Sequence, residues 1–253
     1  MFQNGLVSIS FRPHTVEEIV GAVKACGLKQ IEWGSDVHVP AGDAARARYV
    51  RTLMEQNGLT TSSYGSYFYL GTEADPVAAF VPYLDSAELL GTKIIRLWGG
   101  KGGSATLNDE KFDALIAEGK LLADMAAKRG IVLALECHGG TLTDEYHSAV
   151  RYMQAVDHPN MRMYWQPNQF RSHEYNLEAA EALAPYTTNI HVFSWDDKGH
   201  YPLDTHTDRW HEYLAVFRKH GGDHALLLEF MHDNKLTTLP ETAATLLSWN
   251  PAE

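Results

Sequence analysis

Arg129-Gly130-Ile131-Val132-Leu133-Ala134-Leu135-Glu136-Cys137-His138 closes a helical pattern and opens a strand in one step. The segment before it, from Asn108 to Arg129, has helical periodicity and a capping Asn-Asp-Glu start. Glycine suits the left-handed position just past a helix, so Gly130 predicts a stop followed at once by a strand. The same join recurs at Gly27, Gly58 and Gly91. Thr15-Val16-Glu17-Glu18 reads as a capping box, and Asp43 precedes another helical run.

Working outward from this join, eight short runs rich in β-branched and aromatic residues emerge. They are Leu6–Phe11, Gln30–Trp33, Leu59–Tyr64, Lys93–Trp98, Ile131–Glu136, Met161–Gln166, Asn189–Phe193 and Ala225–Phe230. Their starts lie about 31 residues apart on average, the length of one βα unit. Strands separated by helices pair in parallel, and eight of them close a barrel more readily than they form an open sheet. The expectation is a single α/β domain over residues 1–253, a (β/α)8 TIM barrel with a parallel eight-stranded core.

Composition narrows the function. With 21 Lys+Arg against 32 Asp+Glu, the net charge of −11 argues against nucleic acid or an anionic membrane as partner. No apolar run approaches the roughly 18 residues of a membrane span, and the first residues lack a leader pattern. Cys26 and Cys137 are too few for a disulfide framework or a cysteine metal cage, so a cytoplasmic setting with reduced thiols is expected.

In such a barrel, chemistry sits where the strands end. Glu136 follows a run of aliphatics, Leu226-Leu227-Leu228 lead into Glu229, and His191 lies in the seventh strand. A glutamate after buried aliphatics is costly unless a cation or metal meets it. Taken singly, each reads as a rim carboxylate paired with Arg96 or Lys101, or as a hydrogen-bonded core histidine. Together at three strand ends they read as an oxygen and nitrogen site for one divalent ion, Mn, Co, Zn or Mg.

These segments resemble a known family. Ile31–Pro40 (IEWGSDVHVP), Leu133–His138 (LALECH), Asn189–Trp195 (NIHVFSW) and Leu226–Phe230 (LLLEF), in this order, are similar to the xylose isomerase-like TIM-barrel superfamily. It includes ketose 3-epimerases, hydroxypyruvate isomerase, inosose dehydratase and endonuclease IV. The resemblance spans Leu6 to Trp249. It implies a metal held at Glu136, Gln166, His191 and Glu229, with Glu136 and Glu229 moving protons. Gln166 departs from the family, which usually places Asp there, often with His three residues later where this chain has Gln169. Three readings follow: a neutral ligand, a substrate contact beside a three-residue metal site, or a site that has lost its metal.

The expected substrate contacts are His38, in the loop after the second strand, Arg96 and Trp98 on the fourth, His138 beyond Glu136, and Asn168 after the sixth. Arg96 and Trp98 have a second reading as barrel packing with an internal salt bridge. Strand alternation puts His138 on the side of Glu136 and turns Cys137 toward the helices. Gly100–Ala105 formally fits a dinucleotide loop, but the next helix starts too late, so a mobile glycine lid is expected instead, with Lys101 as a candidate phosphate contact. The leading function is a metal-dependent isomerase or epimerase of a small carbohydrate or hydroxy-ketone, working through an enediolate. A lyase or dehydratase begins with the same proton abstraction, and a non-catalytic sugar-binding barrel is the third reading. The expected partner is a small-molecule carbohydrate, with a homo-oligomer left open.

Overall fold

The computed structural model describes residues 1–249; the last four residues of the expected 1–253 range lie outside the described residues. Its strands are β1 (Phe2–Val7), β2 (Gln30–Gly34), β3 (Thr60–Tyr69), β4 (Ile94–Trp98), β5 (Val132–Glu136), β6 (Met161–Trp165), β7 (Thr187–Val192), the short β8 (Trp195–Asp196) and β9 (Gly199–His200), and β10 (His224–Leu228). The helices are α1 (Val16–Ala25), α2 (Ala44–Gln56), α3 (Pro76–Leu90), α4 (Asp109–Lys128), α5 (Tyr146–Val156), α6 (His173–Leu183), α7 (Thr207–His220) and α8 (Leu239–Trp249). β1 to β7 and β10 close a barrel in chain order, with every neighbouring pair parallel. β8 and β9 form an antiparallel hairpin after β7.

The local signals act as chemistry dictates. Thr15 and Glu18 form a reciprocal capping box on α1, while Asp43 and Asn108 cap α2 and α4. Gly27, Gly58, Gly91 and Gly130 all take positive φ, between 63° and 78°, which a side chain would resist. Strand edges differ more. The first strand runs Phe2–Val7 rather than Leu6–Phe11, because Ser8–Phe11 coils into a 3-10 turn ahead of Pro13. The third extends to Tyr69, and the last ends at Leu228. Glu229 therefore stands just past its strand, followed by Phe230 at a φ of 49°.

Alternation sorts the side chains into two sets. One set faces the helices and builds the main core, including Trp33, Ile95, Leu97, Leu133, Leu135, Trp165 and Leu226. The inward set has only a small apolar cluster of Val7, Ile9, Ala134, Tyr164, Ala225 and Leu227. Above it, four strands and the residue just past β10 each supply one buried ionisable group: Glu32, Arg96, Glu136, His191 and Glu229. The barrel centre is thus charged toward its C-terminal end. Among the described residues no helix is long and apolar enough to cross a membrane.

Candidate active site

Arg96, 1% exposed, is the hub of this charged layer. Its Nε donates to Glu32 Oε1 at 2.9 Å, and its Nη1 donates to Glu136 Oε2. Trp98 Nε1 donates to the same Glu136 oxygen at 2.6 Å. The other oxygen, Oε1, faces His191 Nδ1 at 3.4 Å. Glu229 Oε2 lies 3.3 Å from that nitrogen, and Gln166 Oε1 lies 2.9 Å from it. The Gln166 amide is oriented by its own Nε2, which donates to the Cys137 carbonyl at 2.8 Å and so turns Oε1 inward.

Burial alone would raise the Glu136 carboxyl, yet Arg96 and His191 outweigh it and hold it well below the usual carboxylate range. Glu32 is likewise held down to about 2, against its burial, by Arg96 and His191. Burial would lower His191, but Glu229 and Glu32 push it well above the ordinary histidine value. Burial pushes the Cys137 thiol up to about 12, and its side chain packs against the main core, so it offers no thiolate.

The donor set fits a divalent ion. Glu136, His191 and Glu229 form a buried triad whose ligand atoms all lie within 4.8 Å of one another. Bonds of about 2.0–2.2 Å at tetrahedral or octahedral angles put neighbouring ligand atoms roughly 3.0–3.5 Å apart. The distances from His191 Nδ1, 2.9 to 3.4 Å, fall in or beside that range. Charge points the same way: three buried carboxylates face one buried arginine, leaving two negative charges uncompensated. A divalent cation with neutral His191 closes that balance, whereas protonating His191 closes half.

Above this layer opens a cavity of about 300 Å³ bordered by Glu136, His138, Gln166, Asn168, Trp195 and Glu229. His138 lies at its edge, its ring 5.3 Å from that of Trp98, and its Nδ1 bonds the Gly139 carbonyl. Three expected substrate contacts, His38, Arg96 and Trp98, need correction. His38 is buried against Trp33, with Nδ1 on Ser8 Oγ and Nε2 on the His14 carbonyl, so both nitrogens are occupied. Arg96 and Trp98 face Glu136 from within the barrel, the internal salt-bridge reading. Asn168 borders the cavity, its side chain accepting from Phe170 N of its own loop and donating to the Asp144 carbonyl of the loop before α5. The glycine loop is also tied down, through Gly102 N to Gly140 O and Ser104 N to Asp144. Lys101 lies over the Tyr69 ring at 4.9 Å. Glu32 was missed, although a glutamate between Ile31 and Trp33 gives the same signal that exposed Glu136.

A model of the xylose isomerase-like TIM barrel family matches residues 20–249. The chain belongs to that family. A curated relative, the 3-dehydroshikimate dehydratase of Bacillus anthracis, is 26% identical over 173 residues, covering 62% of this chain and 59% of the relative. The chain thus covers less than two thirds of that protein's length. Among solved family structures, the probable 3-DHS dehydratase AsbF of Bacillus anthracis superposes with a TM-score of 0.79 at 18% identity over 100% of both chains. D-psicose 3-epimerase of Clostridium cellulolyticum H10 gives 0.73 at 15% identity over 96% of each chain. The family contains enzymes of both reaction types.

Gln166→Asp tests whether this side chain is a ligand. A third carboxylate beside a divalent ion is expected to tighten binding about 10- to 100-fold after desolvation is subtracted. Activity is expected to fall, since added negative charge opposes enolate build-up. An unchanged metal Kd in a titration removes Gln166 from the ligand set.

Proposed function

We propose that this chain is a metal-dependent enzyme that removes a carbon-bound proton beside the carbonyl of a small polyhydroxylated ketone and completes turnover by expelling water. The observation behind this reading is the asymmetry between its two glutamates. Oε2 of Glu136 is held by Arg96 and Trp98, and a carboxylate so stabilised is a weak proton acceptor. Glu229 has no side-chain partner except His191 among the described residues, and it borders the cavity. One free base suits an elimination, which needs one proton removed and one leaving group protonated.

When bound, a divalent ion at Glu136, Gln166, His191 and Glu229 supplies Lewis-acid polarisation of the substrate carbonyl. Glu229 takes the proton from the adjacent carbon. The electron pair then moves to form a carbon–carbon double bond as the β-hydroxyl leaves. We assign His138, at the cavity edge, to protonating that hydroxyl, so one water departs per turnover. The dehydratase name of the Bacillus anthracis relative supports the same class. The epimerase or isomerase reading is favoured by the convergence of two glutamates on His191 Nδ1, and it requires Glu136 Oε1 to exchange a proton.

Elemental analysis after chelator-free purification is expected to find roughly one equivalent of Mn, Co, Zn or Mg; none, with no affinity for added metal, sinks the metal reading. Proton NMR in D₂O, with ketoses, inososes and 3-dehydroshikimate as the panel, separates the reactions. Loss of water with a conjugated product supports the lyase. Deuterium uptake with the carbon skeleton retained overturns it in favour of the isomerase or epimerase, and binding without exchange leaves only a sugar-binding barrel.

A further inference from the structure

Glu32 is fully enclosed and has no part in the chemistry above. One of its oxygens meets Arg96, which also holds a proposed metal ligand, and the other meets Ser63 and a proposed ligand itself, His191. Oε1 accepts from Arg96 Nε at 2.9 Å, and the same guanidinium donates to Glu136. Oε2 accepts from Ser63 Oγ at 3.0 Å and faces His191 Nε2 at 3.5 Å.

The donor directions can be assigned from one end. Asn189 Nδ2 can only donate, so the Tyr164 oxygen accepts from it at 2.6 Å. The Tyr164 hydroxyl then donates to Ser63 Oγ at 2.5 Å, and Ser63 donates to Glu32. The relay ends on a carboxylate, which has only lone pairs to offer His191. Among the described residues Nε2 has no other partner, so its proton belongs there. In the neutral ring that a metal requires, a histidine that donates one N–H to a carboxylate presents its other nitrogen as a lone pair. That other nitrogen is Nδ1, the one surrounded by Glu136, Gln166 and Glu229.

We infer that Glu32 is a positioning residue that presets two ligands at once, fixing the His191 tautomer for coordination through Nδ1 and holding Arg96 so that Glu136 presents Oε1. This rests on the metal reading given above. The barrel leaves room for the device at one point. A Cβ at Gly65 of β3 would lie 2.6 Å from Glu32 Oε1 and 3.0 Å from Arg96 Nη2. Glycine at 65 is therefore a steric condition of the pair.

Two substitutions test this through metal binding alone. In Glu32→Gln, an amide oxygen kept on Arg96 turns the NH₂ toward His191 Nε2 and drives the proton to Nδ1. Gly65→Ala keeps every charge and displaces the carboxylate. Each protein, purified metal-free with its fold checked by circular dichroism, is titrated with Co²⁺ and its visible spectrum recorded. Both variants are expected to lose roughly 10- to 100-fold in affinity and to shift the cobalt bands. If Glu32→Gln does not fold, Gly65→Ala decides alone. Wild-type binding with variant affinities within about twofold and superimposable spectra overturns the role of Glu32 and leaves the metal site standing. A wild type that binds no cobalt overturns both.

Discussion

Glu229→Gln is expected to lower turnover by about 10²- to 10⁴-fold while the protein stays folded, because it keeps the shape and removes the base. The loss should appear in kcat. The amide oxygen can still coordinate, but one of the two uncompensated negative charges is gone, so metal binding should weaken as well. Stability should change less. In the metal-free protein Glu229 meets His191, which its carboxylate neighbours push toward the charged form, but it also sits among like charges, so the two effects of neutralising it oppose each other. The metal-free variant should therefore melt close to wild type. Glu136→Gln provides the contrast, since it strips an ionic partner from Arg96 and should cost stability as well as activity. Steady-state kinetics with thermal melts in chelator distinguish the two. Near-normal turnover in Glu229→Gln removes Glu229 from the base role.

Backbone conformation and charge placement explain what could be read in advance. Gly130 and its three counterparts were legible because a left-handed residue between helix and strand leaves few alternatives. Glu136 and Glu229 were legible because an ionisable group after buried aliphatics needs a partner. Glu32 sends the same signal from Ile31-Glu32-Trp33, but only closure of the barrel brings it to Arg96 and His191. Arg96 was legible as charged and buried, whereas its direction depends on which alternate set of β4 faces inward. His38 and Asn168 could not be placed from sequence. A loop histidine reads as solvated until Ser8, His14 and Trp33 enclose it, and an asparagine after a strand looks alike whether it meets a substrate or braces its own turn. The first strand slipped because Ile9 and Phe11 continue the apolar pattern past Val7, alternating with Ser8 and Ser10, so periodicity does not show where strand gives way to turn.

Arg96→Met should cost about 3–5 kcal/mol at neutral pH in the metal-free protein, since it leaves Glu32 and Glu136 buried without their main counter-charge. For a chain of this size that is a fall on the order of 10 °C in Tm. The pH dependence makes the claim specific. In the wild type, both carboxyls are depressed, Glu32 to about 2, so their contribution is complete above the ordinary 4.5 and is lost only as pH falls toward the folded values. Between pH 7 and 5 that contribution is constant. Without the guanidinium, burial dominates and lifts both carboxyls, so the variant can take up protons in that same window. His191 is raised by its carboxylate partners, so its contribution is complete below 6.5 and is lost only as pH rises through the folded value; it levels off in this window in both proteins and largely cancels in the difference. The gap between wild type and Arg96→Met should therefore shrink from pH 7 to pH 5, as read by urea denaturation in chelator. A gap that stays constant, or one under about 1 kcal/mol at pH 7, would mean that Arg96 is not the counter-charge of this barrel.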